Sequence, residues 1–172
     1  FEGFEYNQIE IKENGIQYKD ITAHRIVFCE GFGMKQNPFF NYLPLNEAKG
    51  ELITIHAPAL DIDFLLKSTL FVLPLGKHLY KVGATFNWTD KTSNPSEEGK
   101  IELIDKLAKV INVPYKIMDQ TAGIRPTVAG RRPLVGKHPK HQNLAILNGL
   151  GTRGVMIGPT VAKALYNHLE NQ

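Results

Sequence analysis

The 172-residue sequence is short of several things, and each shortage excludes something. It has one cysteine, Cys29, so no internal disulfide forms and no oxidising compartment is implied. Its apolar runs, such as residues 69–75, fall far short of the ~20 residues that a membrane-spanning helix requires. No charged-then-apolar leader opens the chain. No internal repeat or low-complexity tract is present. Net charge is slight: 20 Lys plus Arg against 17 Asp plus Glu leave +3, which singles out neither nucleic acid nor a membrane surface as a partner. There is no initiator Met either. Phe1-Glu2-Gly3-Phe4-Glu5 enters directly on a strand-like pattern, as expected of a processed or truncated piece.

What is present is ordinary for a globular, cytoplasmic-type protein: 42% hydrophobic and 22% charged residues, with 15 Gly and 10 Pro. The length suits one domain or two and buries a core without staples. Residues 8–13 and 16–22 alternate around Asn14-Gly15, which predicts a hairpin with its turn on that pair. Residues 23–29 and 51–57 read as strands. Residues 69–75 and 78–85 predict a second hairpin around Gly76-Lys77. A helix is expected after Asn94 as cap and Pro95 as first residue, with Ile101, Ile104, Leu107, Ala108 and Ile111 on its apolar face and Pro114 as its stop. Prolines 126, 133 and 139 break residues 123–139, residues 143–148 form a strand, and 154–170 form a second helix with Pro159 in its early turns. Hairpins interleaved with two helices give an α+β (mixed α/β) class.

Gly149-Leu150-Gly151-Thr152-Arg153-Gly154 satisfies G-x-G-x-x-G between a strand and a helix. The dinucleotide fingerprint also needs a further parallel strand ending in an acidic residue about 20 positions on, and the sequence does not supply one. A glycine-rich turn remains, presenting free N–H groups and a helix dipole to something electron-rich, or else serving as a plain connection. Gly130–Lys137 imitates a triphosphate loop but has one residue too many, a proline inside, and His138 in place of Ser or Thr. The basic stretch from Arg131 to His141 suits a solvated surface better than nucleic acid. The six histidines are scattered, His138 and His141 being separated by Pro139, and no metal site is expected. Cys29 lies in an apolar strand pattern, and no G-x-S-x-G elbow exists, so no nucleophile is visible. Arg125, between Gly-Ile and Pro, is a stiffly mounted guanidinium suited to bidentate capture of a carboxylate or phosphate, or to an ordinary salt bridge.

Taken in order, AGIRPT (122–127 with Thr121 before it), RRPLVGKHP and NLAILNGLGTRGVMIGPTVAKAL resemble the C-terminal region of FAD-dependent oxidoreductases of the D-amino-acid oxidase and glycine oxidase type. HRIVFCEGF (24–32), LNEAKGEL (45–52) and FVLPLGKHLYKVGAT (71–85) match earlier segments of that family. The resemblance covers nearly the whole chain, but the family's N-terminal βαβ unit has no counterpart in it. It implies that residues 3–33 and 120–172 belong to an FAD domain whose N-terminal Rossmann half is absent. Residues 34–119 would form a largely antiparallel substrate-binding domain.

The resemblance also implies roles. Arg125 would fork onto a substrate carboxylate. Gly149, Leu150, Gly151, Thr152, Arg153 and Gly154 would face the pyrimidine end of the isoalloxazine, and Gly31 would lie near the adenosine. Phe71 falls where relatives often carry a substrate-binding Tyr, and Tyr80 or His56 could supply the missing hydroxyl or polar group. Glu30 replaces a small residue and Glu51 stands where Gln is usual. The implied activity is oxidation of the C–N bond of an amino acid or secondary amine by hydride transfer to FAD, the isolated chain being inactive without its other half. Two rivals are a non-catalytic ligand-binding fragment and an oxidoreductase acting on a modified tRNA base.

Overall fold

A computed structural model describes residues 3–170, so Phe1 and Glu2 of the expected strand-like opening lie outside the described residues. The chain divides into two compact units: residues up to Asn46 together with those from Arg125 onward, and residues 47–124.

In the first unit, β1 (Ile9–Lys12), β2 (Gly15–Tyr18) and β3 (Ile21–Ala23) form an antiparallel three-stranded sheet. Lys12 pairs with Gly15, so the turn is Glu13-Asn14 and not the expected Asn14-Gly15. Gly15 is required for a different reason. A Cβ there would lie 2.8 Å from the carbonyl oxygen of Ala23, so β3 can approach only a glycine. The single strand expected over 23–29 is two, because β3 ends at Ala23 and β4 covers only Ile26–Phe28.

The second sheet of this unit has the order β10 (Leu134–Lys137), β11 (Leu144–Asn148), β4. β10 and β11 are antiparallel, whereas β11 and β4 are parallel, with Leu144 opposite Ile26 and Ile146 opposite Phe28. Strand β10 falls where the sequence predicted a proline-broken loop. One face of the unit holds Ile16, Phe28, Met34, Phe40, Leu45, Leu144 and Ile146. On the other, α2 (Gly154–Glu170) seats Leu165 and Leu169 against Ala145. These two leucines sit four residues apart, one helical turn.

The second unit is built on the order β6 (Leu66–Lys67), β7 (Phe71–Gly76), β8 (Leu79–Gly83), β5 (Leu45–His56), β9 (Lys116–Val128), the unit boundary falling inside β5 and inside β9. The β6–β7, β7–β8 and β8–β5 pairs are antiparallel. Ile53 and Ile55 alternate along β5 and, with Ala57 just past its end, pack with Val72, Tyr80 and Val82 beneath Leu103 and Leu107 of α1 (Glu97–Leu107). That period of two is what buries one face of a strand. The β7–β8 turn is Lys77-His78, one residue beyond the expected pair, and both residues have positive φ (52° and 58°) as a type I′ turn requires.

Three features of α1 differ from expectation. Ser96, not Asn94, is its cap and accepts from the N–H of Gly99. Ile101 is 51% exposed, since the buried stripe runs through Gly99, Leu103 and Leu107. The helix stops at Leu107, well before Pro114. Pro126 does not break the chain but lies inside β9, an edge strand whose free side tolerates a residue without N–H.

Candidate functional site

Because β4 and β11 are parallel neighbours, their carboxyl ends fall at the same end of the sheet, the place where ligands bind in parallel arrangements. Each strand runs directly into a glycine turn. β4 leads through Cys29 and Glu30 to the 3-10 turn Gly31–Gln36, and β11 leads through Gly149 and Leu150 to the 3-10 turn Gly151–Arg153 and then α2. Gly31, Gly149 and Gly151 all hold left-handed backbone, with φ of 57°, 69° and 58°.

The end of β9 runs along both turns. A Cβ on Gly31 would have Pro126 Cγ as its nearest neighbour at 3.9 Å, and one on Gly151 would meet Thr127 Cγ2 at 3.7 Å. Both are ordinary contacts, so these two backbones remain approachable. Gly149 is different: its Cβ would lie 2.6 Å from Val128 Cγ2 and 3.2 Å from Leu134 Cγ. Thr127 donates its hydroxyl to Asn46 O at 2.7 Å, fixing this end of β9 within the unit. Arg125 begins the tract and is half-buried, and that burial pulls its pKa below the ordinary guanidinium value while leaving it a cation.

The start of α2 is chemically open. No acidic side chain occupies its first turn, and Val155 and Met156 are 99% and 74% exposed. Thr152 is exposed and Leu150 half-buried. Arg153 is exposed, and its guanidinium donates to the carbonyl of Arg131 at 2.8 Å, tying the turn to the loop before β10. The structure therefore brings Gly31, Arg125 and residues 149–154 together in one unit.

Phe71 and Tyr80 lie in the other unit. Phe71 is half-buried on β7, its ring beside Gly83, where a Cβ would come within 3.1 Å of it. Tyr80 is 4% exposed in the core, and its hydroxyl donates to Leu60 O. His56 and His78 sit edge to face at 6.3 Å. No group of three or more His, Cys, Asp or Glu among the described residues could hold a metal ion.

Several polar residues to which the sequence assigned no site role are structural anchors. Glu30 accepts from the hydroxyl of Tyr6 at 2.5 Å and from Asn37 Nδ2 at 2.8 Å, and burial first, then Glu30, drives the Tyr6 pKa up. Burial and then Glu30 also push the Cys29 thiol up, which disfavours the thiolate. Buried Asn148 touches both glycine turns. Its only sequence signal is its place, an amide at a strand end immediately before a glycine.

A profile of the family described as FAD dependent oxidoreductase matches residues 2–167. Glycine oxidase of Bacillus subtilis is 26% identical over 165 residues, covering 89% of this chain and 43% of that protein. A tRNA 5-methylaminomethyl-2-thiouridine biosynthesis bifunctional protein MnmC of Campylobacter jejuni is 26% identical over 113 residues, 64% of this chain and 18% of its own length. Among solved structures, glycine oxidase from Geobacillus kaustophilus superposes with a TM-score of 0.78 at 20% identity, covering 96% of this chain and 47% of that one. Iminodiacetate oxidase from Chelativorans sp. BNC1 gives 0.78 at 21%, covering 96% and 48%. The chain thus spans less than half the length of each of these relatives.

Proposed function

The chain belongs to the FAD dependent oxidoreductase family, and from that we propose that it forms the substrate-orienting and flavin-facing part of an enzyme that oxidises the C–N bond of an amino acid or secondary amine. The observation that carries this reading is the meeting of Arg125's tract with two positive-φ glycine turns at the carboxyl ends of a parallel strand pair.

The residues present fit FAD. Gly31 and Gly151 leave their backbones approachable, and the first turn of α2 offers N–H groups with no carboxylate to repel an electron-rich ring edge. Val155 and Met156 add exposed apolar surface beside them. Gly149, Leu150, Gly151, Thr152, Arg153 and Gly154 would hold the pyrimidine end of the ring system, and Gly31 the adenosine side. When bound, FAD supplies the two-electron acceptor for amine oxidation.

This chain's own contribution is orientation and electrostatics. Arg125 forks onto the substrate carboxylate with two parallel charge-assisted bonds, which fix both position and tilt of the carbon that bears nitrogen. The half-burial of Arg125 strengthens that pairing, because the effective dielectric around it is lower than in water. The α2 N-terminus and the glycine N–H groups stabilise negative charge on the cofactor side. Residues 47–124, with Phe71 on β7, form the substrate-domain sheet of this reading. Phe71 brings an apolar ring where a hydroxyl is common, so the substrate's amine is not held there by a phenol.

The experiment is to purify the full-length protein, measure its flavin content, and follow amine-dependent reduction of the visible flavin band with glycine, N-methylglycine and larger amino acids. Stoichiometric FAD, bleached by at least one of these, supports the reading. A colourless protein that also fails to take up added FAD removes it.

A second substrate class is favoured by the MnmC match together with exposed Arg131, Arg132 and Lys140: an aminomethyl group carried on tRNA. Binding of tRNA that weakens steeply with salt, together with inertness toward free amino acids, would select it.

A further inference from the structure

Asn148 closes β11, is 3% exposed, and has no part in the chemistry described above. Both polar atoms of its amide are used, one on each glycine turn. Nδ2 donates to the carbonyl of Gly31 at 2.8 Å, and Oδ1 accepts the N–H of Gly149 at 2.8 Å.

The need for such a tie follows from where the ladder stops. The parallel pairing of β4 and β11 runs from Ile26 opposite Leu144 to Phe28 opposite Ile146. Beyond that pair the two chains diverge into turns whose glycines have positive φ. Glycine reaches several backbone regions at similar cost, so a glycine turn holds its shape only if something outside it fixes the peptide planes. Asn148 fixes one plane in each turn, from a single rigid group. The geometry also restricts which side chain can do this. One partner is a carbonyl and the other an N–H, so the side chain needs a donor and an acceptor on one short planar group, which Asn has and an ionised Asp, Ser and Leu lack.

We propose that Asn148 is a positioning residue that couples the Gly31 and Gly149 turns into one cradle of fixed spacing, so that a cofactor lying against both turns meets backbone groups already set in register. This deepens the FAD reading and rests on it.

The test uses the full-length protein and two variants. Asn148→Asp keeps shape and acceptor but turns an oxygen toward the Gly31 carbonyl, and Asn148→Leu removes both bonds. Hydrogen exchange of residues 26–36, 147–154 and 71–83 is measured beside the FAD dissociation constant from flavin fluorescence. In Asn148→Asp, exchange is expected to rise at 26–36, stay protected at 147–154 and be unchanged at 71–83, while FAD binding weakens about tenfold. In Asn148→Leu both turns loosen, and 71–83 again does not. A role in stability alone would raise exchange in all three segments together, and that result overturns the coupling. So does an Asn148→Asp protein with wild-type exchange, or with FAD affinity within twofold of wild type. A wild-type protein that takes up no FAD overturns the underlying reading and the cradle with it.

Discussion

The carboxylate of Glu51 holds Ser96 twice, accepting its backbone N–H at 2.9 Å and its hydroxyl at 2.6 Å. Ser96 in turn accepts from Gly99 N at 3.1 Å, so a strand residue carries the cap of α1. Gln120 adds a bond to Glu51 at 2.8 Å, and buried Lys49 lies 3.5 Å from the same carboxylate and 2.6 Å from Asp90. Burial raises the Glu51 pKa, but the Ser96 and Gln120 bonds and Lys49 outweigh it and leave it lowered. Bonds from Lys49 and then Thr92 bring Asp90 to about 2. Carboxyls lowered on folding contribute stability above their unfolded values near 4, and it is lost as pH falls through the folded ones.

Glu51→Ala is therefore expected to cost about 1–3 kcal/mol, because it leaves the Ser96 N–H and hydroxyl and the Gln120 amide without their acceptor, while Lys49 keeps Asp90. Urea unfolding at pH 7 measures it. Glu51→Gln should flatten the fall in stability between pH ~5 and 2. An unaltered acid profile would show that Glu51 titrates no differently in the folded chain.

If the protein acts as proposed, Arg125→Ala should raise KM for an amino acid about 100-fold, the scale of a lost bidentate charge pair, while an amine lacking the carboxylate is unaffected. Arg125→Lys should recover only part of the loss, since an ammonium cannot fork. Equal losses on both substrate types would assign Arg125 to folding instead.

Gly149→Ala meets two obstacles at once: φ of 69° and a Cβ 2.6 Å from Val128 Cγ2. A loss of about 2–3 kcal/mol is expected. Gly151→Ala shares the positive φ but has Thr127 Cγ2 at 3.7 Å, so its loss should be about 1 kcal/mol. Thermal melts of the pair decide whether crowding, beyond backbone angle, sets the cost.

His138 is 8% exposed, and its Nδ1 accepts the N–H groups of Lys140 at 3.2 Å and His141 at 3.1 Å. Its ring stacks on His141 at 4.9 Å and meets Phe39, Phe40 and Tyr42 edge-on. Burial, then His141 and Lys140, lower its pKa. A base lowered on folding favours the folded state above its unfolded value near 6.5, and that contribution is lost as pH falls through the folded value. The melting temperature should fall between pH 8 and 5, and less so in His138→Asn, which keeps an acceptor but does not titrate. A parallel fall in both proteins would exclude His138 as the origin.

Local signals in the sequence reached the elements whose stability is local. Helix α2 spans residues 154–170 as its pattern predicts, because its glycine start and apolar stripe are written within the helix itself. The cap of α1 escapes local signals because Ser96 is held by Glu51, 45 residues away. Strand β10 was hidden by Pro133 and Pro139, which flank it without entering it. The glycine turn and the Arg125 tract stood out in sequence because glycine, proline and arginine constrain geometry or charge by themselves. Asn148 did not, since an asparagine before a glycine reads as a turn until its distant partner is known.

The bond from Asn148 to Gly31 joins positions 117 residues apart, and residues 47–124 lie inside the loop it closes. Closing a loop of that length carries a large entropic cost, which is recovered only when distant segments have already found one another. During synthesis the first glycine turn must wait for more than a hundred further residues before its partner exists. The tie between the two turns is thus long-range in sequence, and it can form only once the chain up to Asn148 has been made.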